Sequence, residues 1–182
     1  MTREEALEIL HEHVENDNLR KHAYAVEAAM RAYAREFGED EDYWGVVGLL
    51  HDFDWEIHPT MDEPPQQGAE ILRERGVDEA LVEDIQAHAP HTGIPRDTAV
   101  RKAIFAVDEL TGFIVACALV RPNGISDLKA KSVKKKMKDS SFAAAVDRDD
   151  IRTGAEELGV DLTEHIDFVI DAMREVNDEL GL

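Results

Sequence analysis

The chain has one cysteine, Cys117, inside the apolar run "FIVACALV". A lone thiol excludes an internal disulfide and a cysteine-based zinc site, and it suits a reducing compartment. No stretch offers about 20 uncharged apolar residues, the length a bilayer-spanning helix needs. The opening "MTREEALEIL" lacks the basic start followed by an apolar stretch that marks a secretory signal. These absences predict a soluble, untargeted, cytoplasmic protein that makes no use of a membrane. Period-two alternation is also missing, so strands are not expected.

Lysine is nearly absent as well, with one exception. "KAKSVKKKMK", residues 129 to 138, holds six of the eight lysines and no acid, which leaves 14 basic against 40 acidic residues elsewhere. The net charge of -20 disfavours phosphate-backbone binding by the surface as a whole, so nucleic acid is an unlikely partner outside that stretch. Such an acidic balance suits a high-salt cytosol, where screening relieves self-repulsion, and equally an ordinary acidic protein.

What is present is helical periodicity over 182 residues, 43% of them hydrophobic, enough for one sizeable core and one domain over 1-182. The fold class expected is all-α, a single-domain helical bundle. Thr2 and Glu5 form a capping box ahead of Leu7, Leu10 and Val14. Asn16 or Asn18 caps a second helix carrying Leu19, His22, Val26, Ala29, Tyr33 and Phe37, which Gly38 ends. A third covers roughly 42 to 52, with Trp44, Val47 and His51 in one row. Prolines make 56 to 65 a loop, 66 to 75 is helical up to Gly76, and Asp78 starts a helix aligning Leu81, Ile85 and His88. Residues 97 to 120 are apolar on all sides and form the most buried element, with Asp108 and Glu109 as interior charges. After "RPNG" come a short basic helix, a helix ending at Gly159, and a last one capped by Asp161 and Glu164 with Ile166, Val169, Ile170, Met173 and Val176 inward.

Three helices therefore aim polar groups into apolar rows: His22, His51 and Asp108. A lone histidine on such a row is commonly a core residue bonded to a carbonyl or carboxylate. A buried carboxylate costs several kcal/mol unless it finds a cation, several donors, or a raised pKa. One divalent metal satisfies the whole set, since neutral imidazoles and carboxylates are its natural ligands; a metal-free His-Asp hydrogen-bond network is the alternative. Neighbours on a helix point about 100° apart, so His51 and Asp52 share one ion only at a helix edge.

His22, the doublet His51-Asp52 after "GVVGLL", and the distant Asp108 resemble the H…HD…D signature of the HD-domain superfamily of metal-dependent phosphohydrolases. "GAEIL" and "IQAHAPHTGIP" resemble its HDIG-type branch, and the likeness spans about residues 18 to 120. The resemblance implies that His22, His51, Asp52 and Asp108 bind one divalent ion (Mn, Co, Zn, Fe or Ni), with positions left for water and substrate. Two-metal members often carry a His-Pro-x-x-Gly arrangement where this chain reads "PPQQG", with Pro64 in place of histidine. That weakens the case for a second ion and for di-iron oxygen chemistry. His88 matches a further histidine of such members, as does His91, and His58 lies in the loop. His11, His13 and His165 are expected on the surface.

The implied chemistry is hydrolysis of a small, nucleotide-like phosphate ester by metal-activated water. Asp54 and Glu56, just past the doublet, are candidates to take the proton, and each is equally explained as a solvated loop acid. Arg20, Lys21 and Arg121, with His88 and the run containing Lys134, Lys135 and Lys136, are the groups expected to bind the anionic substrate; the lysine run is equally explained as a solvated helix face. Nucleoside monophosphates, cyclic or alarmone nucleotides and other phosphate esters all fit. The alternative is a catalytically silent metal- or nucleotide-binding sensor or assembly module.

Overall fold

The computed structural model describes residues 1–57 and 67–182, and among these every regular element is helical. In chain order they are α1 (Arg3–His13), α2 (Asp17–Phe37), α3 (Glu41–Leu50), α4 (Gln67–Glu74), α5 (Glu79–Gln86), α6 (Ala99–Leu119), α7 (Ala130–Lys136), α8 (Arg148–Leu158), α9 (Leu162–Arg174) and α10 (Asn177–Leu180). None of the described helices is long and apolar enough to cross a membrane. His58 and Pro64 lie outside the described residues.

Local chemistry sets the boundaries. Thr2 and Glu5 form the reciprocal capping box, Asn16 rather than Asn18 caps α2, and Asp40, Asp78, Asp147 and Asp161 each accept backbone N–H bonds at the head of a helix. Gly38 and Gly159 end α2 and α8 in the left-handed conformation.

Four boundaries differ from the sequence expectation. α3 stops at Leu50, and residues 51–57 continue as turns. His88 lies beyond the end of α5. α9 stops at Arg174, leaving Val176 half-buried. At the end of α6, Leu119 and Val120 are 68% and 60% exposed, because the bundle surrounds the middle of that helix and not its last turn.

The buried residues make one apolar cluster drawing on all ten α-helices. α6 runs through it, with Ile104, Leu110, Phe113 and Ile114 fully buried, each stabilising the fold by about 1.5–3 kcal/mol relative to exposure. α2 lies against α3 and α6, and α8 lies against α6. Glycine permits two of these close approaches. A Cβ at Gly48 would come within 3.0 Å of the Glu27 backbone on α2, and one at Gly154 within 2.6 Å of Ala106 Cα on α6. Side chains there would push α3 off α2 and α8 off α6, and both displacements would act on the helices that carry His22, His51 and Asp108.

Candidate metal centre

His22 projects from the first turns of α2, His51 is the residue that ends α3, Asp52 follows in the turn, and Asp108 sits at mid-length of α6. One ligand atom from each lies within 4.8 Å of the others. His22 Nε2 is 3.0 Å from Asp108 Oδ1, and His51 Nε2 is 3.2 Å from His22 Nε2, 3.4 Å from Asp108 Oδ1 and 3.5 Å from Asp52 Oδ2. Ligands held about 2.1 Å from one cation at right angles stand about 3 Å apart, so these separations suit a shared ion. The end of α3 at Leu50 lets the doublet straddle a helix edge and direct both side chains to one point.

The outer ring nitrogens reinforce that fit. His51 Nδ1 donates to the Gly48 carbonyl at 2.8 Å, which leaves Nε2 as a lone pair aimed into the cluster. Thr111, fully buried, donates its hydroxyl to the Asp108 carbonyl at 2.8 Å and places the same oxygen 3.5 Å from His22 Nδ1. Two Nε2 atoms 3.2 Å apart share at most one proton between them, whereas a cation satisfies both lone pairs.

The electrostatics agree. Burial would lower the His51 pKa, but the carboxylates of Asp52 and Asp108 outweigh it and hold the imidazole at about 9. Burial would raise both acids. The facing histidines overcome that, and Asp108 is held well below the usual carboxylate range. The cluster attracts positive charge, and a proton takes that place when no ion does.

A family model for the HD domain matches residues 19–150, 132 of the 182 positions, a span that contains the whole cluster. The chain belongs to the HD-domain family. No curated protein and no solved structure matches it. The match is to the HD domain as a whole and does not single out the HDIG-type branch.

Around the HD-domain cluster, the other expected site residues separate into two groups. His88 joins it: Nε2 lies 3.2 Å from Asp52 Oδ1, and Nδ1 donates to the Ile85 carbonyl at 2.8 Å. Asp54 lies close enough to Asp52 and His88 to feel both charges, and burial raises its pKa. Its carboxyl occupies the space above Gly68, where a Cβ would fall 2.3 Å from Oδ2. The glycine of "PPQQG" thus makes room for an acid, a relation invisible in the motif.

The remaining expected residues have partners of their own within the fold. Glu56 accepts from the backbone N–H groups of Glu15 and Asn16, at 2.9 and 3.1 Å, so its carboxylate serves the entry to α2. Arg20 donates to the carbonyls of Val14 and His11, and the Lys21 ammonium lies beside Gly181. Arg121 pairs with Asp127 at 2.7 Å, 13 residues beyond Asp108, or roughly 20 Å at the helical rise. Lys134 donates to Thr163 Oγ1 at 2.8 Å, and α7, which carries Lys134, Lys135 and Lys136, lies along α9 and α6. Sequence proximity to His22, or to the end of a helix, did not indicate where these flexible side chains find acceptors.

His165 is a correction. Expected on the surface, it is 1% exposed, with Nε2 donating to the Ala106 carbonyl at 2.9 Å and Nδ1 accepting from the Tyr33 hydroxyl at 2.5 Å. It lies at the position before Ile166 on the buried face of α9, a cue its polar neighbours concealed. Thr111 was missed too, although its spacing of three from Asp108 places it one turn further along the same helix.

Proposed function

We propose that this HD domain is a metal-dependent phosphohydrolase acting on a small, nucleotide-like phosphate ester, with His22, His51, Asp52 and Asp108 as the metal ligands. The single observation carrying this reading is the convergence within 4.8 Å of four ligand atoms from α2, α6 and the turn that ends α3. A divalent ion bound there would acidify water and polarise a phosphoryl oxygen. His51 and His22 present Nε2 inward because Gly48 and Thr111 engage the opposite ring nitrogens. Asp54 is the general base in this scheme: it stands two residues past Asp52, and burial gives it a higher proton affinity than an ordinary carboxylate. His88, on the other oxygen of Asp52, orients that carboxylate and faces the substrate. Soluble, cytoplasmic operation and the HDIG-type branch belong to this same proposal.

One observation favours the second reading, a silent metal or nucleotide sensor. All twelve arginines hold carboxylate or carbonyl acceptors within the chain, and none of these bonds is made to Asp52, Asp54 or Asp108. A phosphate at the cluster would then depend chiefly on the ion for its counter-charge.

The deciding experiment is a screen of phosphate esters against Mn, Co, Zn, Fe and Ni, with Asp52→Ala as the control. Turnover in the parent and none in the variant supports the hydrolase; metal uptake without turnover on any ester supports the sensor. Within the hydrolase reading, Asp54→Asn is expected to keep its metal and lose about 10²–10⁴-fold in kcat.

A further inference from the structure

The lysine run makes no hydrogen bond or ion pair with His22, His51, Asp52 or Asp108, and the structure shows the form it takes. On α7, Ala130 and Val133 face the core, with Met137 just past its end, while Lys131, Lys134 and Lys135 follow the spacing i, i+3, i+4 along the opposite side and Lys138 lies in the turn beyond, all exposed. The helical part of the stripe, from Lys131 to Lys135, is about 6 Å long at the helical rise. Among the described residues the ion pairs are made by arginine and histidine, and none by lysine. Lys131, Lys135 and Lys138 have no hydrogen-bond or ring partner either, and Lys134 bonds the neutral hydroxyl of Thr163 and lies close enough to Asp161 to feel its charge. Among the described residues, this concentrated row of ammonium groups has no ion pair, in a chain with 40 acids.

The partner must match a short stripe. Exposed acids flank it in sequence at Asp127 and Asp139, and Asp161 lies close enough to Lys134 to feel its charge, so the positive patch is limited in extent. A duplex or an anionic bilayer continues past that limit and meets the acids. No exposed aromatic accompanies the lysines, since Phe142 is half-buried under Lys136, and stacking of single-stranded bases has no platform. A compact acidic helix fits better, and the chain itself carries one.

On α1, Glu4 and Glu8 are exposed at the same i, i+4 spacing as Lys131 and Lys135, and neither has an ion pair. Beside Glu8 is a groove of about 590 Å³ lined by the acids Glu5, Glu8 and Asp78, by Ile9, Val77 and Leu81, and by one cation, Arg75, which pairs with Glu12 at 2.7 Å. It joins acids for ammonium heads to apolar surface for the methylene stems of lysine. Within one chain these two faces make no ion pair with each other. We propose that α7 of one molecule docks its lysine stripe on the acidic groove of α1 in a second copy of this chain. Mutual exchange of the two contacts closes a two-fold dimer. This surface is independent of the metal chemistry.

The test is the association state of the intact protein by sedimentation velocity at 0.05 and 0.5 M salt. The parent is expected to dimerise, with a dissociation constant at least about tenfold weaker at the higher salt. Lys131→Glu with Lys135→Glu, and separately Glu4→Lys with Glu8→Lys, should each remain monomeric. These four exposed side chains make no hydrogen bond, ion pair or ring contact within the fold, and an unchanged Tm confirms that each variant folds. An equimolar mixture of the two variants should restore the dimer. A parent that is monomeric at both salts, a dimer that survives both reversals, or a mixture that stays monomeric overturns the proposal. Retention on anionic vesicles or duplex DNA that is lost only in the lysine variant assigns the stripe to that partner instead, and overturns it as well.

Discussion

Two histidine sites are buried in this bundle, and they meet burial in opposite ways. At His165 both ring nitrogens have neutral partners, a Tyr33 hydroxyl and the Ala106 carbonyl, and desolvation lowers the pKa. At His51 only the outer nitrogen has one. The inner nitrogen faces His22, Asp52 and Asp108, and the carboxylates raise the pKa to about 9 despite complete burial. A buried histidine whose hydrogen bonds are complete is part of the core. A set whose lone pairs and negative charges converge on one point still requires a cation, and that requirement separates a site from a satisfied core residue.

The largest expected effect tests that distinction directly. Asp108→Ala removes a converging carboxylate and should abolish metal uptake, measured by metal content, with turnover reduced at least about 10³-fold. The comparison fails if the variant retains its ion. His165→Ala should do the reverse, losing about 2–4 kcal/mol of stability in urea melts through a cavity and an orphaned Tyr33 hydroxyl, while metal content stays at the parent level.

A smaller effect sharpens the contrast within the candidate metal centre. Thr111→Val keeps the shape of the side chain but removes the oxygen facing His22 Nδ1, and metal affinity measured by titration should fall about 10–100-fold with little change in Tm for the metal-free protein. Equal affinities would mean that Thr111 only packs.

The smallest is a matter of sign. His165 has its folded pKa below the ordinary value of about 6.5, so it is neutral in the fold and takes up a proton on unfolding. Its stabilising contribution is complete above about pH 6.5 and is lost as pH falls from there toward the folded value. His165→Gln should therefore flatten the fall in stability between about pH 7 and pH 5, read from urea midpoints. A slope identical to the parent's would place the titration elsewhere.

Much of the helix order was legible because caps and glycines act within one or two turns. Thr2 with Glu5, Gly38, Asp78 and Gly159 all stand where their local chemistry predicts. The four-residue cluster was legible for a different reason: His22, His51 and Asp108 each interrupt an apolar row, and such interruptions have few explanations. Side-chain destinations were not. Arg20 sits two residues from His22 and still turns to carbonyls of α1, and Glu56 turns to the head of α2. A long flexible side chain has several hydrogen-bond partners within reach, and only the packed neighbours select one. His165 was hidden for the converse reason, since its partners come from α2 and α6, far away in sequence.

The order of amphipathic segments, their caps and the polar interruptions of their buried faces follow from residue spacing, because helical geometry is local and periodic. Tertiary packing decided which atoms meet. α3 descends onto α2 at Gly48, α3 ends where His51 and Asp52 can face one point, and α6 brings Asp108 from 86 residues past His22 to within 3.0 Å of it. Those distances depend on how close helices approach, which is set by the volumes of side chains far apart in the chain.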